Sequence, residues 1–125
     1  MKLNHDCVRD VLLFVEENLP YGHYVDFSAI EIPDYSREDL LYTADKLIEA
    51  DYLNGKKENY LGSHTPAIRV TSMTWSGHQF LDNIRDDSVW KSTKKVLSKF
   101  SSVSLSLMGN VASQVITSLV QNQIG

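Results

Sequence analysis

Between Ser36 and Met73 the apolar residues change their spacing, and this change restricts the fold more than any other feature of the chain. Leu40, Ala44, Leu47 and Ile48 recur at steps of three and four, the spacing of one helix face. Ser36 stands just before them with Asp39 three residues on, a weak form of the capping box. After Ala50 the pattern becomes strand-like. Tyr52–Leu61 and Ala67–Met73 read as two strands, with Ile68, Val70 and Ser72 on one face and the turn-forming Gly62-Ser63-His64-Thr65-Pro66 between them. Asp51 sits at the handover from helix to strand, and aspartate is among the few non-glycine residues that accept a left-handed backbone.

Upstream, Val8, Val11, Leu12, Val15 and Leu19 predict another helix, capped by Asn4 and ended by Pro20 and Gly22. "YVDFSAIEI" then predicts an extended β-prone run stopped by Pro33. Downstream of the hairpin, Trp75, Phe80, Leu81 and Ile84 predict a helix, and Trp90 begins a long helical segment with its cap at Asp87 or Ser88. Helix, strand, helix, hairpin and then helices define an α+β chain. The arrangement expected is a winged-helix-like domain over residues 1–87 with a C-terminal helical extension over 88–125.

The stretch "TWSGHQFL" places Ser76, Gly77 and His78 together and invites a catalytic reading. A serine nucleophile needs an oriented base and oxyanion donors. On a helix, side chains two residues apart diverge by about 200°. The expected role is structural: Thr74 caps the helix by accepting the N–H of Ser76 or Gly77, and Gly77 permits close approach to the sheet. The histidines are scattered, His5 and Cys7 diverge, Asp82, Asp86 and Asp87 read as an exposed face and a cap, and no glycine-rich phosphate loop exists. A protein that is not an enzyme, and that uses no cofactor or metal, is expected. Cys7 is alone, and "MKLNHDCVRD" has no apolar stretch of the signal-peptide kind, so a cytoplasmic setting is expected.

The quoted segments also resemble a known family. "LLYTADKLIEADYL" (40–53), "TWSGHQFLDNIRDDSVWKSTK" (74–94) and the opening "MKLNHDCVRDVLLFVEENL" are similar to an uncharacterised family of small proteins of Gram-positive bacteria and their phages and prophages. Its mark is T-W-x-G-H-x-F-L-D-x-I-R-x-D-x-V-W. The resemblance implies a winged-helix-like fold and a mobile-element context, and it transfers no site residues. Asp51 departs from the "E-A-G" with which such helices usually end.

Charge decides between partners. Residues 1–87 hold eight Lys and Arg against sixteen Asp and Glu, whereas residues 88–125 hold Lys91, Lys94, Lys95 and Lys99 and no acid. Winged helices often read DNA with the helix before the hairpin. Here the outward face of that helix presents Glu38, Asp39, Tyr42, Asp45, Lys46 and Glu49, a poor surface for a duplex. Arg37 is expected nearer the buried side. The expectation is a protein partner meeting Glu38, Tyr42, Asp45 and Glu49. The alternative is a dimeric DNA-binding regulator using Lys56, Lys57, Arg69, Lys91, Lys94 and Lys95.

From Phe100 to Gly125 no residue is charged. Wound as a helix, Leu107, Met108, Val111, Ala112, Val115, Ile116, Leu119 and Val120 cover about 220° of arc. Self-association as a dimer, or partner binding, through Met108, Val111, Val115, Ile116, Leu119 and Val120 is the first expectation. Folding back as core and resting on a membrane surface are the others. A spanning helix is not expected, because Ser, Asn and Gln interrupt the run.

Overall fold

The structure, a computed structural model, describes residues 1–124. Among the described residues, five helices and a three-stranded antiparallel sheet form two compact units, residues 1–78 and the residues from Gln79 onward.

In the first unit, α1 (His5–Asn18) starts where Asn4 Oδ1 accepts the Cys7 N–H at 3.1 Å, and it buries Cys7, Val8, Val11, Leu12 and Val15. The chain then reaches β1, which is only Val25–Asp26. The extended run expected over "YVDFSAIEI" stops here for a local reason. The Asp26 carboxylate accepts the Ser28 N–H and its carbonyl accepts the Ala29 N–H, which turns the chain away from the sheet. Phe27 stays fully buried, and its N–H still donates to the Ile68 carbonyl. Residues 27–35 form no helix, and Asp34 takes a left-handed conformation at φ 78°.

Helix α2 (Arg37–Glu49) begins with a complete capping box. Ser36 Oγ accepts the Asp39 N–H at 3.0 Å, and Asp39 Oδ2 accepts the Ser36 N–H at 3.1 Å. Leu40, Leu41, Thr43, Ala44 and Leu47 are buried, whereas Ile48 is only half-buried and Arg37 is exposed, not near the core. Thr43 can enter the core because its hydroxyl donates to Cys7 Sγ at 3.3 Å, so its polar atom is not stranded. Asp51 ends the helix at φ 65°, the left-handed turn expected of it.

β2 (Leu53–Glu58) and β3 (Ala67–Met73) form the hairpin, and β3 is the central strand in the order β1-β3-β2. With α1 and α2 on the sheet, this is a winged-helix-like arrangement that lacks a helix between β1 and the helix preceding the hairpin. Thr74 is the expected cap of α3 (Trp75–Ile84): its Oγ1 accepts the Gly77 N–H at 3.0 Å. Gly77 lies against the Tyr52 carbonyl, and a Cβ there would also meet Met73 Cγ at 2.7 Å.

In the second unit, Phe80, Leu81 and Ile84 of α3 are buried. The long segment expected from Trp90 is two helices, α4 (Asp87–Leu97) and α5 (Leu105–Ile124). The cap of α4 is Asp86 rather than Asp87 or Ser88. Asp86 has an extended backbone, and its carboxylate accepts the Val89 N–H at 3.0 Å. Ser104 caps α5, its Oγ accepting the Leu107 N–H. α4 and α5 pack together, and Gly109 lets α5 approach the Phe80 ring.

Candidate functional site

Helix α2 and the hairpin loop face each other across an open groove of ≈ 450 Å³, lined by Glu38, Leu41, Tyr42, Asp45, Lys57 and Pro66 among others. The wall from α2 is acidic and aromatic because its apolar stripe points the other way. Glu38 is exposed and has no ion-pair partner among the described residues. Asp39 is occupied in the capping box.

The wall from the hairpin is set by strand alternation. Lys57 lies opposite Ile68, the residue that enters the core, so its side chain is carried to the α2 side of the sheet. There its Nζ meets Asp45 Oδ2 at 3.0 Å. Along α2, Lys46 Nζ pairs with Glu49 at 2.9 Å and lies 5.5 Å from the Tyr42 ring centre. Hydrogen bonding to Glu49 raises the Lys46 pKa above its ordinary value. Glu38, Tyr42, Asp45 and Glu49 thus lie on one helix face, with Asp45 and Glu49 each tied to a lysine.

The cations of the DNA-reading alternative divide. Lys56 pairs in register with Arg69 and Asp26 with Arg69, placing these three in a row on the face opposite Lys57. Arg69 lies over the Tyr24 ring at 5.4 Å, and Tyr24 is exposed. Lys91, Lys94 and Lys95 are exposed on α4 in the second unit, and Lys94 lies over the Trp90 ring at 5.7 Å.

On α5, Met108 is buried within the chain at 2% exposure, beside Gly109 and Ala112. Val111, Val115 and Ile116 are half-buried, whereas Leu119 and Val120 are about half exposed at 49% and 48%. Ser76 and His78 are exposed on α3, and burial raises the pKa of Cys7, which holds a buried thiol in its neutral form. Among the described residues no group of three metal-ligating side chains converges, and no helix is long and apolar enough to cross a membrane.

Sequence reasoning missed two contacts. Tyr35 Oη donates to Asp10 at 2.7 Å, which ties the segment before α2 to α1, and Lys57 pairs with Asp45. Both join residues far apart in sequence, and only the hairpin register carried a hint of the second.

The fold and this groove define a small α+β, winged-helix-like protein whose helix before the hairpin is acidic. The chain belongs to the family described as hypothetical protein (DUF2513), whose family model matches residues 2–104. It is 30% identical over 128 residues to an uncharacterized protein of Haemophilus influenzae, covering 96% of this chain and 99% of that relative. No solved structure matches the chain.

Proposed function

We propose that this protein is a non-enzymatic interaction module of the cytoplasm that binds another protein through the α2–hairpin groove, in a regulatory or host-interference role. The supporting observation is the Lys57–Asp45 pair. It draws the one hairpin lysine that lines the groove onto α2, Lys46 is likewise paired with Glu49, and Glu38 is left unpaired among the described residues beside Tyr42, with little positive charge free to meet phosphate. A carboxylate-rich groove with an aromatic wall suits a partner segment carrying Lys or Arg, by ion pairing and by stacking on the ring. The reading is tested by capture from bacterial lysate with the full chain and with Glu38→Lys and Tyr42→Ala. Each substitution is expected to abolish recovery of a defined partner, and recovery unchanged by both overturns the reading.

A second reading, a dimeric DNA-binding regulator, is favoured by Lys56 and Arg69 standing side by side on the exposed sheet face. It requires a mobility shift of duplex DNA that weakens with salt and is lost in Lys56→Ala and Arg69→Ala. The groove reading expects no such shift at moderate salt.

A further inference from the structure

We infer that the C-terminal half of α5 pairs with the same segment of a second copy, antiparallel about a two-fold axis. This inference is independent of what the α2–hairpin groove binds. α5 has 20 residues and α4 has 11, which correspond to about 30 Å and about 16 Å of helix. Roughly half of α5 therefore runs beyond what α4 can cover. Burial follows this division: Met108, Gly109 and Ala112 in the first half are buried, while Leu119, Val120 and Ile124 in the second half are exposed.

Leu119 and Val120 do not lie on a different face. At 100° per residue, Val115, Ile116, Leu119 and Val120 point within roughly 80° of the direction of Ala112. The stripe that seats α5 inside the chain thus continues past its cover as an unfinished interface. A half-helix of this kind is marginal alone in water and gains most of its stability from packing of its apolar face.

Three features select a second copy as the occupant. The segment from Phe100 onward carries no charge, although charged residues make up 22% of the chain. A charged partner would have to desolvate its own charges against it without compensation, whereas a second α5 presents a matching neutral face, with Gln123 on the same stripe available for hydrogen bonds. The helix dipole of α5 is also uncompensated, with no acid in its first turn and no base in its last, and an antiparallel neighbour opposes that dipole. Finally, helices that rest on membranes have a basic polar face, and the polar face of α5 is neutral.

The pairing segment is short. It buries roughly half of the ~800 Å² per partner found in standard interfaces, so the dimer dissociates on dilution. Its two-fold symmetry closes the assembly at two copies.

Sedimentation velocity of the full chain over a wide concentration range, at low and high salt, tests the inference. The expected result is a reversible monomer–dimer equilibrium that high salt leaves intact or strengthens. Leu119→Lys and Val120→Lys are each expected to weaken it by about tenfold or more. Gln121→Lys, which adds the same charge on the opposite face, is expected to leave it unchanged. Circular dichroism of each variant confirms that the fold is intact. A chain that stays monomeric at every concentration overturns the inference, and so does a dimer insensitive to Leu119→Lys. A dimer that high salt dissolves would place the contact on the α4 lysines instead. A monomer that floats with anionic vesicles and loses this behaviour in Leu119→Lys would identify a lipid surface as the occupant.

Discussion

Lys57 of β2 reaches Asp45 of α2 at 3.0 Å, so the hairpin lysine on the α2 side of the sheet is directed into its own domain. In a winged helix that reads DNA, the helix before the hairpin and the wing both approach the duplex. Here the helix offers carboxylates, and the nearest wing cation is already engaged with one of them. The pair is partly exposed, Lys57 more than Asp45. A pair exposed to this degree contributes little to stability.

Breaking that pair should separate its effect on partner choice from its effect on stability. Asp45→Asn and Lys57→Ala are each expected to change the free energy of unfolding by less than about 1 kcal/mol, as for other partly exposed ion pairs. Asp45→Asn also releases the Lys57 ammonium into the groove, which should weaken capture of a cationic partner. Urea denaturation measures the first expectation and partner titration the second. A loss of several kcal/mol in either variant would show that the pair serves the fold.

The capping box at Ser36 makes a larger and purely structural contribution. Ser36→Ala removes the acceptor for the Asp39 N–H at the start of α2, and should cost about 1 kcal/mol. Ser36→Asp keeps an acceptor there and places a negative charge at the positive end of the helix dipole, so it should retain most of the stability. Thermal unfolding of the two variants checks the order. Equal destabilisation would mean that the cap is not what starts this helix.

Local chemistry was legible in the sequence, and nonlocal chemistry was not. Ser36, Asp51 and Thr74 could be assigned because a cap or a left-handed turn depends on residues within a few positions. Asp26 could have revealed the shortness of β1, since an aspartate followed by Ser28 and Ala29 offers a side-chain turn that competes with strand pairing. The break between α4 and α5 also had a signal: Ser98, Ser101, Ser102 and Ser104 cluster where the helix ends and the next one is capped. The groove had a signal on its helix wall only. Tyr42 and Asp45 could be placed on the outward face of α2, but the partner of Asp45 depends on hairpin register, which a bulge at Asn54/Gly55 displaces. Nor could periodicity show that Met108 and Leu119, on one stripe of one helix, differ in cover.

Gly77 should tolerate no side chain. A Cβ there points at the Tyr52 carbonyl, which also accepts the Thr74 N–H, so neither the helix start nor the strand start can move aside cheaply. Thr74 Oγ1 fixes the same corner by donating to the Asp51 carbonyl at 2.6 Å while it accepts the Gly77 N–H. Gly77→Ala is expected to cost at least about 2 kcal/mol, within the range for overpacked sites, although alanine is the better helix former. Thr74→Ser preserves both hydrogen bonds and should be nearly neutral. Chemical denaturation that found Gly77→Ala stabilising would mean that this corner is looser than its contacts indicate.

Tyr35 gives the fold a pH dependence at the alkaline end. Burial, and then the hydrogen bond from its hydroxyl to Asp10, push its pKa well above the ordinary tyrosine value. The neutral phenol is therefore the form that the folded state favours. Below the unfolded pKa, about 10 for tyrosine, both states keep the proton and the contribution to stability is complete. As pH rises past that value the unfolded chain releases the proton while the folded chain retains it, so stability falls and continues to fall until the folded group ionises. Tyr35→Phe removes the titration and the hydrogen bond together. It should cost about 1 kcal/mol or somewhat more at neutral pH, because the bond is to a charged acceptor, and the stability difference between wild type and variant should shrink as pH rises above about 10. Tyr60, raised by its hydrogen bond to Glu58, titrates in both proteins and cancels in the comparison. Urea midpoints of the two proteins across the alkaline range measure the difference directly, and a gap that stayed constant would show that the Tyr35–Asp10 contact does not govern the proton.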